Sequence, residues 1–283
     1  MGPGAMIDEK NAHHLAPPGA AAPAGSPSRQ HRVLIAYTAM WLMQARLGCG
    51  SEDRLGGKLV LSLGFADAEA EAALGATLAG AAFLGIEFEQ EPIKRAMRLG
   101  CCDFMVNNLD EALRILKNEV RKRQPVSVGL HADVDDVLAE MIERGVQPDL
   151  LIQTMSHART EAARESFERL RLSGSIQLDF KAADAASKIV DSIDVEKLVE
   201  EWSRANALGA VAWEVRGGDS QPLKKLDAAA LRLLPEKDQM RRRWLDLAPK
   251  YFRRDDPLKR EIWLSTAEQD RLLREMSEEQ TTD

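Results

Sequence analysis

The chain has 283 residues, 45% of them hydrophobic and 29% charged, with a formal net charge of −7 and a pI of about 5.4. That length buries a core in one or two domains, and the acidic balance argues against a general nucleic-acid binder, which needs a basic face. No run of about 18 apolar residues reads as a membrane span, and no basic segment followed by an apolar core reads as a signal peptide. Cys49, Cys101 and Cys102 are too few for a disulfide framework or a zinc site, so a reducing cytoplasm is the expected setting.

Residues 1–30 are rich in Ala, Pro, Gly and Ser without a period and read as a disordered tail. "HRVLIAYTAMWLMQARL" (31–47) reads as a largely apolar helix of core or interface type. An α/β rhythm follows. "KLVLSL" (58–63) is a strand, 66–78 a helix of small residues, and "AAFLGIEF" (81–88) a second strand. Pro92 opens a short helix that stops at Gly100, and "CDFMV" (102–106) is a short strand. In "NNLDEALRILKNEVRKR", Asn108 is the expected N-cap, with acids in the first turn and arginines in the last, as the helix dipole favours. "PVSVGL" (125–130), a helix closed by Gly145, and "PDLLIQT" (148–154) complete the series.

Strands alternating with helices of this length imply a doubly wound, mostly parallel Rossmann-like sheet, in an α/β domain spanning 31–157. Residues 158–283 read as a mostly helical continuation: 160–172, a long helix over 184–207, and charged helices over 226–278 with Trp244, Tyr251, Phe252 and Trp263 as buried anchors. One further strand near 209–216 is expected to join the same sheet.

Ligands of open parallel sheets sit beyond the carboxyl ends of the strands. The residues placed there are Gly64 after the first strand, Glu87 and Glu89 after the second, and His131 and Asp133 after the fourth. Gln153, Thr154, Ser156 and His157 follow the fifth, and Glu214 and Arg216 the last. A dinucleotide needs bare glycine backbone after the first strand and a carboxylate after the second for the ribose hydroxyls. Glu87 meets the second need. Around Gly64 the first is met poorly, because Asp67 and Glu69 would set negative charge beside a pyrophosphate, each repulsion costing on the order of a few kcal/mol. The favoured reading of these acids is helix capping. His157 is either an acid/base or substrate-binding group or a hydrogen-bonded structural histidine. No metal-ligating set and no Ser-His-Asp or Cys-His nucleophile set is apparent.

The stretch "GGKLVLSLGF…FLGIEFEQEPIKRAMRLG" resembles the nucleotide-binding core of urocanase (urocanate hydratase). "NNLDEALRILKNEVRKRQPVSVGLHADVDDVLAEMIERGVQPDLLIQTMSH" is similar to the family run ending in "RGVxPDxxTDQTSAH". "VEEWSRANALGAVAWEVRGGD" and "KYFRRDDPLKREIWLSTAEQD" are similar to later family segments, and the resemblance spans roughly 40–270. It implies an NAD-holding hydratase whose nicotinamide acts as an electrophile toward the urocanate imidazole. The carry-over is mostly one of losses. The glycine loop becomes Gly64-Phe65-Ala66-Asp67-Ala68-Glu69, and the family cysteine falls on Arg253. The "DYGNN" segment becomes Glu214-Val215-Arg216-Gly217-Gly218. The flanking family segments are not seen. Glu87, Gln153, Thr154, Ser156, His157 and Trp263 persist.

The resemblance therefore implies a urocanase-like protein without urocanate hydratase activity, which binds another small ligand or acts as a regulatory partner. The alternative is an NAD-dependent hydratase or lyase with His157 and Glu214 as catalytic groups and Gly64, Glu87, Gln153, Thr154 and Ser156 as cofactor contacts. The residues leave NAD binding open. The family implies a homodimer, for which the helix over 33–47 is the expected contact.

Overall fold

A computed structural model describes residues 27–50, 54–153, 160–180, 192–215, 220–253, 255 and 257–282. They divide into two compact units, Pro27–Asn206 and Ala207–Asp283.

The first unit runs α1 (Arg29–Arg46), β1 (Leu59–Leu63), α2 (Asp67–Ala79), β2 (Ala82–Glu87), α3 (Gln90–Arg98), β3 (Phe104–Val106), α4 (Leu109–Lys122), β4 (Val126–His131), α5 (Val134–Glu143), β5 (Leu150–Gln153), α6 (Glu161–Leu172), β6 (Ile176–Asp179), β7 (Ile193–Asp194) and α7 (Val195–Ala205). Its seven strands are ordered β3-β4-β2-β1-β5-β6-β7, and every pairing is parallel. The expected doubly wound α/β fold is present.

Strand period two divides the core. Leu61, Leu63, Leu84, Ile86, Val128 and Leu130 point to the face covered by α4, α5 and α6, where Leu113, Leu138 and Phe167 meet them. Each fully buried leucine contributes about 2 kcal/mol. On the opposite face α3 presses Ile93 onto Gly129, where a Cβ would lie 2.5 Å from the isoleucine side chain. The Asn108 cap falls where expected, its Oδ1 accepting the Glu111 N–H at 2.9 Å, whereas Asp133, placed among the strand-end candidates, is spent capping α5. Asp149 ties the start of β1, accepting from the Leu59 N–H at 2.9 Å and from Lys58 Nζ at 3.0 Å.

Helix α1 is spent inside its own protomer. Val33, Leu34, Ala36, Tyr37, Ala39, Met40 and Met43 are all buried. It approaches α2 so closely that a Cβ on Gly75 would stand 2.8 Å from the Tyr37 backbone nitrogen. Of the two readings of this helix, core applies to its apolar face.

The parallel sheet does not stop near 157. α6, β6, β7 and α7 continue it, so the unit reaches Asn206. β6 escapes the sequence reading because Ser175, Gln177 and Asp179 alternate with Ile176 and Leu178, yet all but Ile176 are buried.

The expectation that 209–216 joins the main sheet is corrected. β8 (Gly209–Val215) pairs antiparallel with β9 (Leu258–Leu264) in a separate two-stranded sheet. The reason lies in its pattern. Val211, Trp213 and Val215 are buried while Ala210 and Ala212 are exposed, so β8 has one dry face. Strands of a covered parallel sheet are dry on both, as β2 is throughout. Around this strand pair lie α8 (Gln221–Leu233), α9 (Gln239–Tyr251) and α10 (Thr266–Thr282). Trp213, Trp244, Phe252 and Trp263 are buried anchors, whereas Tyr251 is only half-buried. β9 carries charge at its centre and reads as helical, because its charges are buried in pairs the sequence does not reveal. Arg260 meets Asp227 at 2.6 and 2.9 Å.

Candidate functional site

The strand order reverses between β1 and β5, so the switch-point crevice lies beyond Gly64 and Gln153. Gly64 makes the turn with φ 104°, a conformation that favours glycine, and donates its N–H to the Ile86 carbonyl at 2.6 Å. The next residue decides what the loop can do. Phe65 N–H donates to Glu87 Oε2 at 3.1 Å, and Glu87 Oε1 accepts the Glu89 N–H at 3.0 Å. The Phe65 ring is 1% exposed and lies on Gly85, where a Cβ would be 2.3 Å from it. It meets Phe83 edge-on with centroids 5.6 Å apart. The loop is thus folded down onto the sheet and fastened by the very carboxylate that a ribose would use.

α2 begins immediately after. Its N-cap, Ala66, offers no side-chain bond, and Asp67 and Glu69 stand in the first turn. Asp67 is exposed and pairs with Arg95 at 3.1 Å, whereas Glu69 is buried. One turn on, Glu71 takes a bidentate bond from Arg32 at 2.7 and 2.6 Å. Burial pushes the Glu71 carboxyl above its usual range, against the pull of Arg32. The hydrogen bond to Glu71 raises the Arg32 guanidinium in turn.

These residues do not fit a dinucleotide pyrophosphate. The Phe65 N–H is already bonded to Glu87, Phe65 and Ala66 stand where bare glycine backbone is needed, and a carboxylate stands at the helix end.

Other polar groups gather at the same edge. Glu87 and His131 are register partners, and His131 Nδ1 lies 3.4 Å from Gln90 Nε2 and 3.3 Å from Asn107 Oδ1. Gln90 and Asn107 were not singled out by sequence reasoning, although Asn107 directly follows a strand. Gln153 ends β5 beside Asp179, its register partner on β6. Asp179 could be found only once β6 was recognised. Thr154, Ser156 and His157 lie outside the described residues. Glu214 is on β8 of the second unit, opposite Lys259, and so belongs to a different unit from Gly64, Glu87 and Gln153.

Among the described residues no group of three His, Cys, Asp or Glu side chains is placed to hold a metal, and no helix is long and apolar enough to cross a membrane. Cys101 and Cys102 are buried, as expected of residues leading into a strand, and burial pushes the Cys102 thiol up to about 12. That thiol is no nucleophile at neutral pH.

Residues 36–166, a little under half the chain, match the family model of the urocanase Rossmann-like domain. The match runs from within α1 into α6. The likeness of 199–219 and 250–270 to later family segments lies beyond it.

Proposed function

Because residues 36–166 are a urocanase-family Rossmann-like core, a partial homologue of a family domain that binds NAD, we propose that this chain is a urocanase relative that does not hydrate urocanate and instead takes another small ligand or serves as a regulatory partner. The observation that carries this reading is the closed first loop: the Phe65 ring on Gly85 and the Phe65 N–H on Glu87. A hydratase of this family needs its nicotinamide held at the strand ends, and the loop that would anchor the pyrophosphate carries Phe65, Ala66 and Asp67 and spends its Phe65 N–H on Glu87. Arg253, standing where the family has cysteine, and the Glu214–Gly218 segment support the same reading.

One observation favours the alternative, an NAD-dependent hydratase or lyase. His131, Asn107 and Gln90 form a polar cluster beside Glu87 at the carboxyl ends of the strands, where open parallel sheets bind ligands. Loss of urocanate ultraviolet absorbance, with NAD added in excess, separates the two. The proposed function predicts a rate no higher than that of a His157→Ala variant. Turnover that His157→Ala abolishes would establish the hydratase.

A further inference from the structure

A cleft of about 230 Å³ opens between the N-terminal turns of α1, the start of α2 and the length of α3. Three guanidinium groups line it, Arg29, Arg32 and Arg95, against two carboxylates, Asp67 and Glu71. We propose that this cleft binds a small oxyanion, a phosphate or carboxylate group, clasped by these three arginines. The inference rests on the reading of the chain as a small-ligand binder and places that ligand beside the closed loop rather than in it.

Helix α1 supplies the first argument. It opens with Arg29 and Arg32 and has no acid in its first turn. Two cations on the positive end of a helix dipole work against the helix; the single carboxylate of Glu71 faces both and offsets part of that, and an anion in the cleft would complete the compensation. The start of α2 borders the same cleft, but its first-turn acids Asp67 and Glu69 offset its dipole, so the attraction comes from the arginines of α1 and α3. Phe65 and Asp67, which flank its uncapped start, both line the cleft.

Preorganisation is the second argument. Arg32 is held flat by its two bonds to Glu71, and Arg29 donates to the Leu99 carbonyl at 3.0 Å and to Cys101 Sγ at 3.4 Å. Side chains already fixed lose little freedom when a ligand arrives. Arg95 is the adjustable member. Its partner Asp67 is 71% exposed, and an exposed bridge of this kind contributes little, so an incoming anion can replace it. Ala70, Ala96 and Leu99 supply apolar wall and keep the site small.

The test is titration of the full chain with inorganic phosphate and, separately, with succinate, by calorimetry at constant ionic strength. Saturable binding is expected. Arg29→Gln and Arg95→Gln each weaken it about tenfold or more. Asp67→Asn, which frees Arg95, tightens it about two- to fivefold, a gain that misfolding cannot mimic. Arg98→Gln, on the same helix but paired with Glu91 at 2.5 Å outside the cleft, leaves it unchanged. Preference for phosphate or for succinate identifies the ligand's head group. No saturable binding of either anion, or equal affinity in all four variants, would overturn the proposal. Urocanate turnover would overturn the preceding reading instead, and is measured without either anion.

Discussion

Two buried carboxylates, Asp227 of the second unit and Glu87 of the first, serve different ends. In the second, Asp227 faces Arg260, while Arg241 reaches Asp238, Glu268 and the Trp263 carbonyl, so helices α8, α9 and α10 are tied to the β8–β9 strand pair by charge. In the first, Glu87 is spent on backbone N–H groups at a strand end, where it shapes a loop. A buried carboxylate matched to a guanidinium holds elements together. One matched to a loop's own amides decides whether that loop can receive anything else. The difference teaches that retention of the second-strand carboxylate in a Rossmann-like core is not by itself evidence of a working nucleotide site.

The largest expected effect breaks the second unit. Arg260→Met leaves Asp227 buried without its partner and should cost about 3–5 kcal/mol in denaturant unfolding of the full chain, while Arg260→Met with Asp227→Leu recovers most of that loss. Next is the contact that closes the loop. Gly85→Ala drives a methyl into the Phe65 ring and should cost about 1–3 kcal/mol. In a Phe65→Ala background the same change should cost little, and the double-mutant cycle measures the coupling. Glu87→Gln removes the charge from two amide bonds and should cost about 1–2 kcal/mol, with faster hydrogen exchange at Phe65 and Glu89.

The smallest effect concerns pH. Burial alone would raise the Glu268 carboxyl, but bonds from Arg241 and Ser265 outweigh it and hold the group below its usual range. Its contribution is therefore complete above the ordinary glutamate value of about 4.3 and is lost as pH falls through the lower folded value. Asp227 runs the other way, since burial raises it despite Arg260. The stability gap between the parent and Glu268→Gln should narrow below about pH 4. A gap that stays constant into acid would contradict the assignment.

Much of the parallel sheet was legible because β1, β2 and β4 are apolar runs bounded by turns, and because α4 and α5, which flank β4, are amphipathic and capped. The failures have physical causes. β6 alternates polar and apolar residues yet is dry on both faces. The centre of β9 is charged because its partners are far away in sequence. β8 carried the right signal, strict alternation, but was assigned to a sheet that has no place for a wet face. At the site, sequence located Gly64, Glu87 and Gln153 at strand ends and questioned the loop. It did not foresee that Phe65 would fold onto Gly85, nor that Arg29, Arg32 and Arg95 would converge, because both depend on contacts between separate elements.

The central claim is that the first loop is fastened to Glu87 and holds no dinucleotide. The direct measurement is to denature the purified chain, clear the precipitate and identify released small molecules by mass spectrometry. The account predicts no stoichiometric NAD. NAD at close to one molecule per chain would contradict it and would make Glu87 a ribose ligand after all.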